Sequence, residues 1–244
     1  MHNLVIDIGN TNSKLAVFNN KELIHYKRLT TLSLNSLKEV VEAYKLQYFT
    51  ISSVDTAITD WIDFLKNYAT YIPFSAAITG GIINKYETLH SLGSDRWAKV
   101  IAAHRLYPGK NCLAIDAGTC ITYDMLSAKS EYNGGSISLG INMRFEALHH
   151  YTGKLPLVKW DKKEPIVAGT NTINAITNGV LQGVINEIEG FIALENKKYK
   201  ALTVLLTGGD ADFLIEQLKN SIFAGQITHH PYLVLNGLNE AITL

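Results

Sequence analysis

Leu4-Val5-Ile6-Asp7-Ile8-Gly9-Asn10-Thr11 stands at the start of the chain, and Leu113-Ala114-Ile115-Asp116-Ala117-Gly118-Thr119-Cys120 repeats its pattern 109 residues later. Each stretch is a short apolar run, an Asp-x-Gly step, small polar residues and then a second apolar run, Leu15-Ala16-Val17-Phe18 in one case and Ile121-Thr122-Tyr123 in the other. The first run reads as a buried strand. The glycine permits a tight turn and a close approach of backbone to ligand. A carboxylate at a strand end, followed by amides and hydroxyls, can hold a cation and a phosphate together. A single Asp-x-Gly is ordinary turn chemistry. Two copies, each directly after a buried strand, point to two related lobes facing each other across a nucleotide.

Composition narrows the field. At 244 residues, of which 47% are hydrophobic, the chain can build one large domain or two lobes with their own cores. Lys+Arg and Asp+Glu both number 22, so no basic excess indicates nucleic acid and no lysine-rich run indicates a membrane surface. Cys112 and Cys120, the two cysteines, lack the spacing of a zinc site or a disulfide framework. Asp7 interrupts the first apolar run, and no apolar stretch approaches the roughly 20 residues that span a bilayer. A cytoplasmic protein is expected.

Around the first copy the pattern predicts a three-strand antiparallel meander: the opening strand, Ser13–Asn19 and Glu22–Leu29, with a turn at Asn19-Asn20. Helices follow over Asn35–Lys45 and Thr59–Tyr68, strands over Tyr48–Val54 and Tyr71–Phe74, and Gly80-Gly81 opens an irregular stretch to Gly93. Ser94 is placed to cap a helix running to about Tyr107, which Pro108-Gly109 ends. Around the second copy, strands are expected at Cys112–Asp116, Cys120–Ser127 and Tyr132–Ser138, the last interrupted by Gly134-Gly135, then a helix over Gly140–Tyr151. Ile173, Ile176, Val180, Val184, Ile188 and Ile192 mark the longest helix, roughly Asn171–Asn196. A buried strand at Leu202–Leu206 turns through Thr207-Gly208-Gly209-Asp210 into a helix ending near Lys219. Residues 1–109 are expected to form an N-terminal lobe and 110–244 a C-terminal lobe, both α/β.

Four segments carry candidate chemistry. Asp7-Ile8-Gly9-Asn10-Thr11-Asn12-Ser13-Lys14 offers a carboxylate, small donors and a lysine for a triphosphate, without Walker A spacing; Lys14 also reads as a solvated strand residue. Gly93-Ser94-Asp95-Arg96 meets a helix start, where Asp95 suits the helix dipole and Arg96 a surface ion pair, or, functionally, a substrate hydroxyl and a carboxylate or phosphate. The second turn carries Asp116, Thr119, Thr122 and Asp124; Asp124, on the next strand, reads either as part of the site or as a residue that merely faces solvent. The Gly pair at 208–209 lets a flat base or ribose approach the backbone. The adjacent pairs His149-His150 and His229-His230 do not form a metal cluster.

The DxGNT turn, the GxDR segment, the central DxGT turn and the late TGG, in this order and at this length, resemble the type III pantothenate kinases of the acetate and sugar kinase, Hsp70 and actin superfamily. The resemblance covers essentially the whole chain. It implies two ribonuclease H-like lobes of the actin-like ATPase/sugar kinase type with a nucleotide cleft between them. It implies that Asp7 through Lys14 form an ATP phosphate loop and that Thr119 contacts ATP. Tyr86, Gly93, Ser94, Asp95, Arg96 and Thr172 match pantothenate-contacting positions, with Asp95 as proton acceptor. Asp116 matches the ligand of a monovalent cation, potassium or ammonium, and Mg2+ accompanies ATP. The family's active site is completed across a homodimer, so Thr172 and the long helix are expected in the partner's site. Cys120 stands where an alanine is usual, and Leu139 where a proline is usual in Gly134–Gly140. A kinase for another small alcohol such as a sugar, or a nucleotide-binding regulator without turnover, are the alternatives.

Overall fold

The computed structural model describes residues 2–53 and 58–244. Val54, the expected end of one strand, lies outside them. The chain divides into two compact units: the first runs to Gly109 and takes in Ala128–Asn133 and Tyr232–Leu244, and the second comprises Lys110–Ser127 and Gly134–Pro231.

Unit 1 is built on a five-stranded sheet of order β3-β2-β1-β4-β5, with β1 at His2–Ile8, β2 at Ser13–Asn19, β3 at Glu22–Leu29, β4 at Leu46–Ser53 and β5 at Thr70–Tyr71. The β1-β2-β3 meander is antiparallel, while β4 runs parallel to β1 and β5 parallel to β4. Asn20 makes the second turn at φ 54°, a conformation asparagine tolerates better than most residues. Period two divides β1 between two cores. Leu4 and Ile6 join Leu15 and Val17 under α1 (Leu34–Ala43) and α2 (Thr59–Leu65). Val5, Ala16 and Phe18 join α3 (Ser94–Leu106) and α7 (Leu233–Ala241). A strand covered on both faces reads as a continuous apolar run, which is why this stretch stood out.

The sequence gives α7 no element of its own and groups it with the second half, yet the helix packs in unit 1. Its Gly237 lies so close to α3 that a Cβ there would fall 1.8 Å from the Ala98 carbonyl oxygen. Buried Asn239 accepts from Asn3 Nδ2 at 3.0 Å and donates to Asn20 O at 2.8 Å. Leu238→Val removes one methylene from this core and is expected to lower unfolding free energy in urea by about 1 kcal/mol. An unchanged transition would contradict the packing.

Unit 2 repeats the plan. Its strands are β7 (Cys112–Ala117), β8 (Cys120–Leu126), β9 (Glu131–Leu139), β10 (Thr203–Thr207) and β11 (Ile227–His229), in the order β9-β8-β7-β10-β11. As in unit 1, the central strand has an antiparallel hairpin partner on one side and two parallel strands on the other. The repeated Asp-x-Gly is therefore the sequence trace of a repeated sheet. β11, which the sequence leaves unassigned, completes the match, and it places His229 on a strand. β9 runs unbroken through Gly134-Gly135. A Cβ on Gly135 would fall 1.6 Å from the Tyr123 carbonyl oxygen, so the glycine lets β9 lie against β8. The first residues of β9 belong to unit 1, where Glu131 and Tyr132 pair in parallel with β6 (Ile83–Asn84).

The core of unit 2 gathers β7, β8 and β10 with α4 (Ile141–His150), α5 (Thr172–Lys198) and α6 (Ala211–Leu218). The α5 stripe Ile176, Val180, Val184, Ile188 and Ile192 is buried, whereas Ile173 in its first turn is exposed. Burial pushes the Cys112 thiol up to about 12, which keeps it protonated and inert at neutral pH. No helix among the described residues is long and apolar enough to cross a membrane.

Candidate active site

The two Asp-x-Gly turns occupy matching sheet positions. Asp7 lies between Lys14 on β2 and Ser52 on β4; Asp116 lies between Thr122 on β8 and Thr207 on β10. The turns differ in length. Residues 9–12 separate β1 from β2, whereas only Gly118 and Thr119 separate β7 from β8.

In unit 1 the turn is closed by Gly9 N donating to Asn12 O at 3.1 Å, which leaves Gly9, Asn10 and Thr11 exposed at its tip. Asp7 is 6% exposed, and Lys14 Nζ stands 3.2 Å from its Oδ2. Lys14 is thus drawn onto the Asp7 carboxylate, which holds a cation beside the tip. Ser52 Oγ shares a 2.8 Å hydrogen bond with Ser94 Oγ, tying the strand next to Asp7 to the first residue of α3. This hydroxyl does not cap the helix, contrary to expectation: Gly93 is the N-cap and no side chain serves. Asp95 occupies the first turn of α3, where a negative charge interacts favourably with the helix dipole. Gly93 leaves room for it, since a Cβ there would meet Asp95 Oδ1 at 2.7 Å.

Arg96 is 4% exposed, so it is not half of a surface pair. Its guanidinium carbon sits 5.4 Å from the Tyr86 ring centroid, and Nη1 donates to Tyr86 Oη at 3.4 Å. Tyr86 stacks at 6.1 Å on Tyr132, which in turn contacts Trp97. Asn84 Oδ1 accepts from Tyr86 N at 3.0 Å and fixes the backbone there. Burying a guanidinium is unfavourable unless its environment compensates; the aromatic column supplies part of that compensation. Lys99, fully buried, follows Asp95 by one helical turn on α3.

In unit 2 two backbone segments converge on the second turn. Gly208, at φ +102°, is pressed so close that a Cβ would fall 2.3 Å from Ala117 O and 2.5 Å from Asp116 Oδ1. Asp210 N donates to Ala117 O at 2.9 Å. Gly140 N donates to Thr119 O at 3.1 Å, and a Cβ on Gly140 would lie 2.2 Å from Gly118 O. The TGG segment, weak as a motif, therefore belongs to the Asp116 turn. Lys162 adds a 2.6 Å ion pair to Asp210. Thr119 is exposed, and Cys120 makes a 3.9 Å sulfur contact with Met143. Asp124 does not face solvent: it is 1% exposed on β8 opposite Ala114. Thr172 opens α5 with an exposed side chain, after Asn171, whose Oδ1 caps the helix by accepting from Asn174 N.

Among the described residues, no three His, Cys, Asp or Glu side chains are grouped to share a metal ion.

The sequence model of the type III pantothenate kinase family matches residues 3–194. The chain belongs to this family. A type III pantothenate kinase of Bacteroides fragilis is 40% identical over 243 residues, 98% of this chain and 97% of the relative. Among solved structures, a Campylobacter jejuni protein provisionally described as a Baf family transcriptional activator superposes with a TM-score of 0.64 at 22% identity, covering 98% of this chain and 97% of its own. A Listeria monocytogenes protein provisionally described as an N-acetylmannosamine kinase gives 0.57 at 13% identity, covering 100% and 99%. The structural likenesses show a shared fold, and the sequence likeness shows the type III pantothenate kinase family.

Proposed function

We propose that the chain transfers the γ-phosphoryl group of ATP to the primary hydroxyl of pantothenate, giving 4′-phosphopantothenate, the first step toward coenzyme A. The observation that carries this reading is the pair of Asp turns at matching sheet positions in a chain of this family. Asp7 through Lys14 would cradle ATP phosphates, with Lys14 supplying positive charge and Thr119 a hydroxyl from the second turn. Tyr86, Gly93, Ser94, Arg96 and Thr172 would contact pantothenate, Arg96 pairing with charge on the substrate or the transferring group.

Asp95 would accept a hydrogen bond from the primary hydroxyl and then its proton. A carboxylate is a weak base toward an alcohol. In a loose transition state little deprotonation is needed early, so alignment matters more than basicity. Magnesium would come with ATP and supply neutralisation of phosphate charge, with Asp7 or Asp116 acting on it through water. Asp116 would also bind potassium or ammonium. The family resemblance extends the proposal to a cytoplasmic homodimer in which Thr172 and α5 serve the partner's site.

Replacing potassium by sodium is expected to lower turnover by about tenfold, the scale of losing one electrostatic partner of the phosphates. Equal rates in both salts would remove the monovalent cation from Asp116. A screen of ATP consumption across pantothenate, hexoses and other small alcohols tests the acceptor: pantothenate alone should stimulate it, and a preferred sugar would overturn the assignment.

A further inference from the structure

We infer that Arg144 and Glu187 form a clamp that positions the Gly118-Thr119 turn for nucleotide binding. The inference rests on the reading that this turn contacts ATP. Glu187, midway along α5, uses both carboxylate oxygens. Oε1 accepts from the Tyr123 hydroxyl at 2.8 Å, and Oε2 accepts from Ser138 Oγ at 3.1 Å and from Arg144 Nη2 at 2.5 Å. Arg144, in the first turns of α4, also donates from Nη2 to Ser138 Oγ at 3.0 Å and from Nε to the Leu139 carbonyl at 2.9 Å. Ser138 is thus held by two helices at once, and Leu139 by α4.

The next residue is Gly140. It is bonded to Thr119 O and so close to the turn that even a methyl group would collide with Gly118 O and Thr119 O. Displacement of Ser138 and Leu139 is therefore passed directly to the turn. Both charged partners are mostly covered, with side chains 20% and 23% exposed. An ion pair at that depth adds little net stability, because desolvation offsets much of its attraction. Its forked, multiply bonded geometry instead fixes orientation. Burial and the neighbouring Glu187 carboxylate push the Tyr123 hydroxyl upward in pKa, so it stays a donor to Glu187. Arg144 and Glu187 are positioning residues that act through Gly140.

Titration calorimetry with MgADP, without pantothenate, tests this. Glu187→Gln keeps the volume of the side chain but loses the charge that orders Arg144. Its Kd for MgADP is expected to rise about tenfold, as for a slightly misplaced binding turn. The KM for ATP should rise by a similar factor while that for pantothenate stays within about twofold. Arg144→Met should match it, and Arg144→Lys, which keeps the charge and loses the fork, should fall between. A purely structural role would lower the melting temperature and the active fraction without moving Kd. Wild-type MgADP affinity in folded Glu187→Gln would overturn the inference. Normal nucleotide binding by a wild-type chain that leaves pantothenate untouched would refute the proposed function alone. A wild-type chain that does not bind MgADP would refute both.

Discussion

Asp95→Asn is expected to lower kcat for pantothenate by at least about 10²-fold, the usual scale for a positioned acid–base group, while the protein stays folded. The substitution is nearly isosteric, so the space that Gly93 leaves for the side chain stays filled. Its effect on stability should be small. Removing a carboxylate from the first turn of α3 forfeits about 0.5 kcal/mol of helix-dipole interaction, far less than the expected rise in the barrier. The KM for ATP should hold nearly constant. A kcat within twofold of wild type in a protein with an unchanged melting temperature would remove Asp95 as proton acceptor and turn attention to Asp7 or Lys99.

Gly208→Ala is expected to damage the Asp116 turn directly. Gly208 combines φ +102° with a Cβ position 2.3 Å from the Ala117 carbonyl oxygen and 2.5 Å from Asp116 Oδ1. The first contact is with backbone, which cannot swing aside, and the second is with the proposed cation ligand. Either the β10 turn moves away or Asp116 does. We expect a loss of about 1–3 kcal/mol in stability from the backbone conformation and the overpacking. Nucleotide affinity should fall at least about tenfold, since either shift disturbs the Asp116 turn. Gly225→Ala serves as the control: nothing lies within 4 Å of its added methyl, and it should leave nucleotide binding unchanged. Unaltered MgADP affinity in Gly208→Ala would show that the turn does not contribute to the nucleotide site.

Much of this architecture was legible in local sequence. The duplicated Asp-x-Gly works because each copy sits on a central strand covered on both faces, so burial writes the same apolar run twice. The α5 helix was legible for a similar reason, its stripe returning at near-four spacing. What stayed hidden depends on distant contacts. Ser52 is an unremarked strand residue until the parallel register of β4 sets it beside Asp7 and Ser94. Arg96 looks like a surface charge because the column that covers it is assembled from Tyr86 and Tyr132, far apart in sequence. The α7 helix gives no sign that it belongs with β1, since its partner surface on α3 lies more than a hundred residues away. As proton acceptor, Asp95 was indicated only by family resemblance. Local physics favours a carboxylate at that helix start whatever its chemistry, and so cannot distinguish a base from an ordinary first-turn acid.

The direct test of the central claim is a reaction of the purified chain with ATP, magnesium, potassium and pantothenate, with the product identified by mass and by phosphorus NMR. The account predicts one phosphoryl group added to pantothenate as an ester of its primary hydroxyl, with equimolar ADP. ADP formed without phosphorylated pantothenate, or no reaction by a folded protein that binds MgATP, would contradict it.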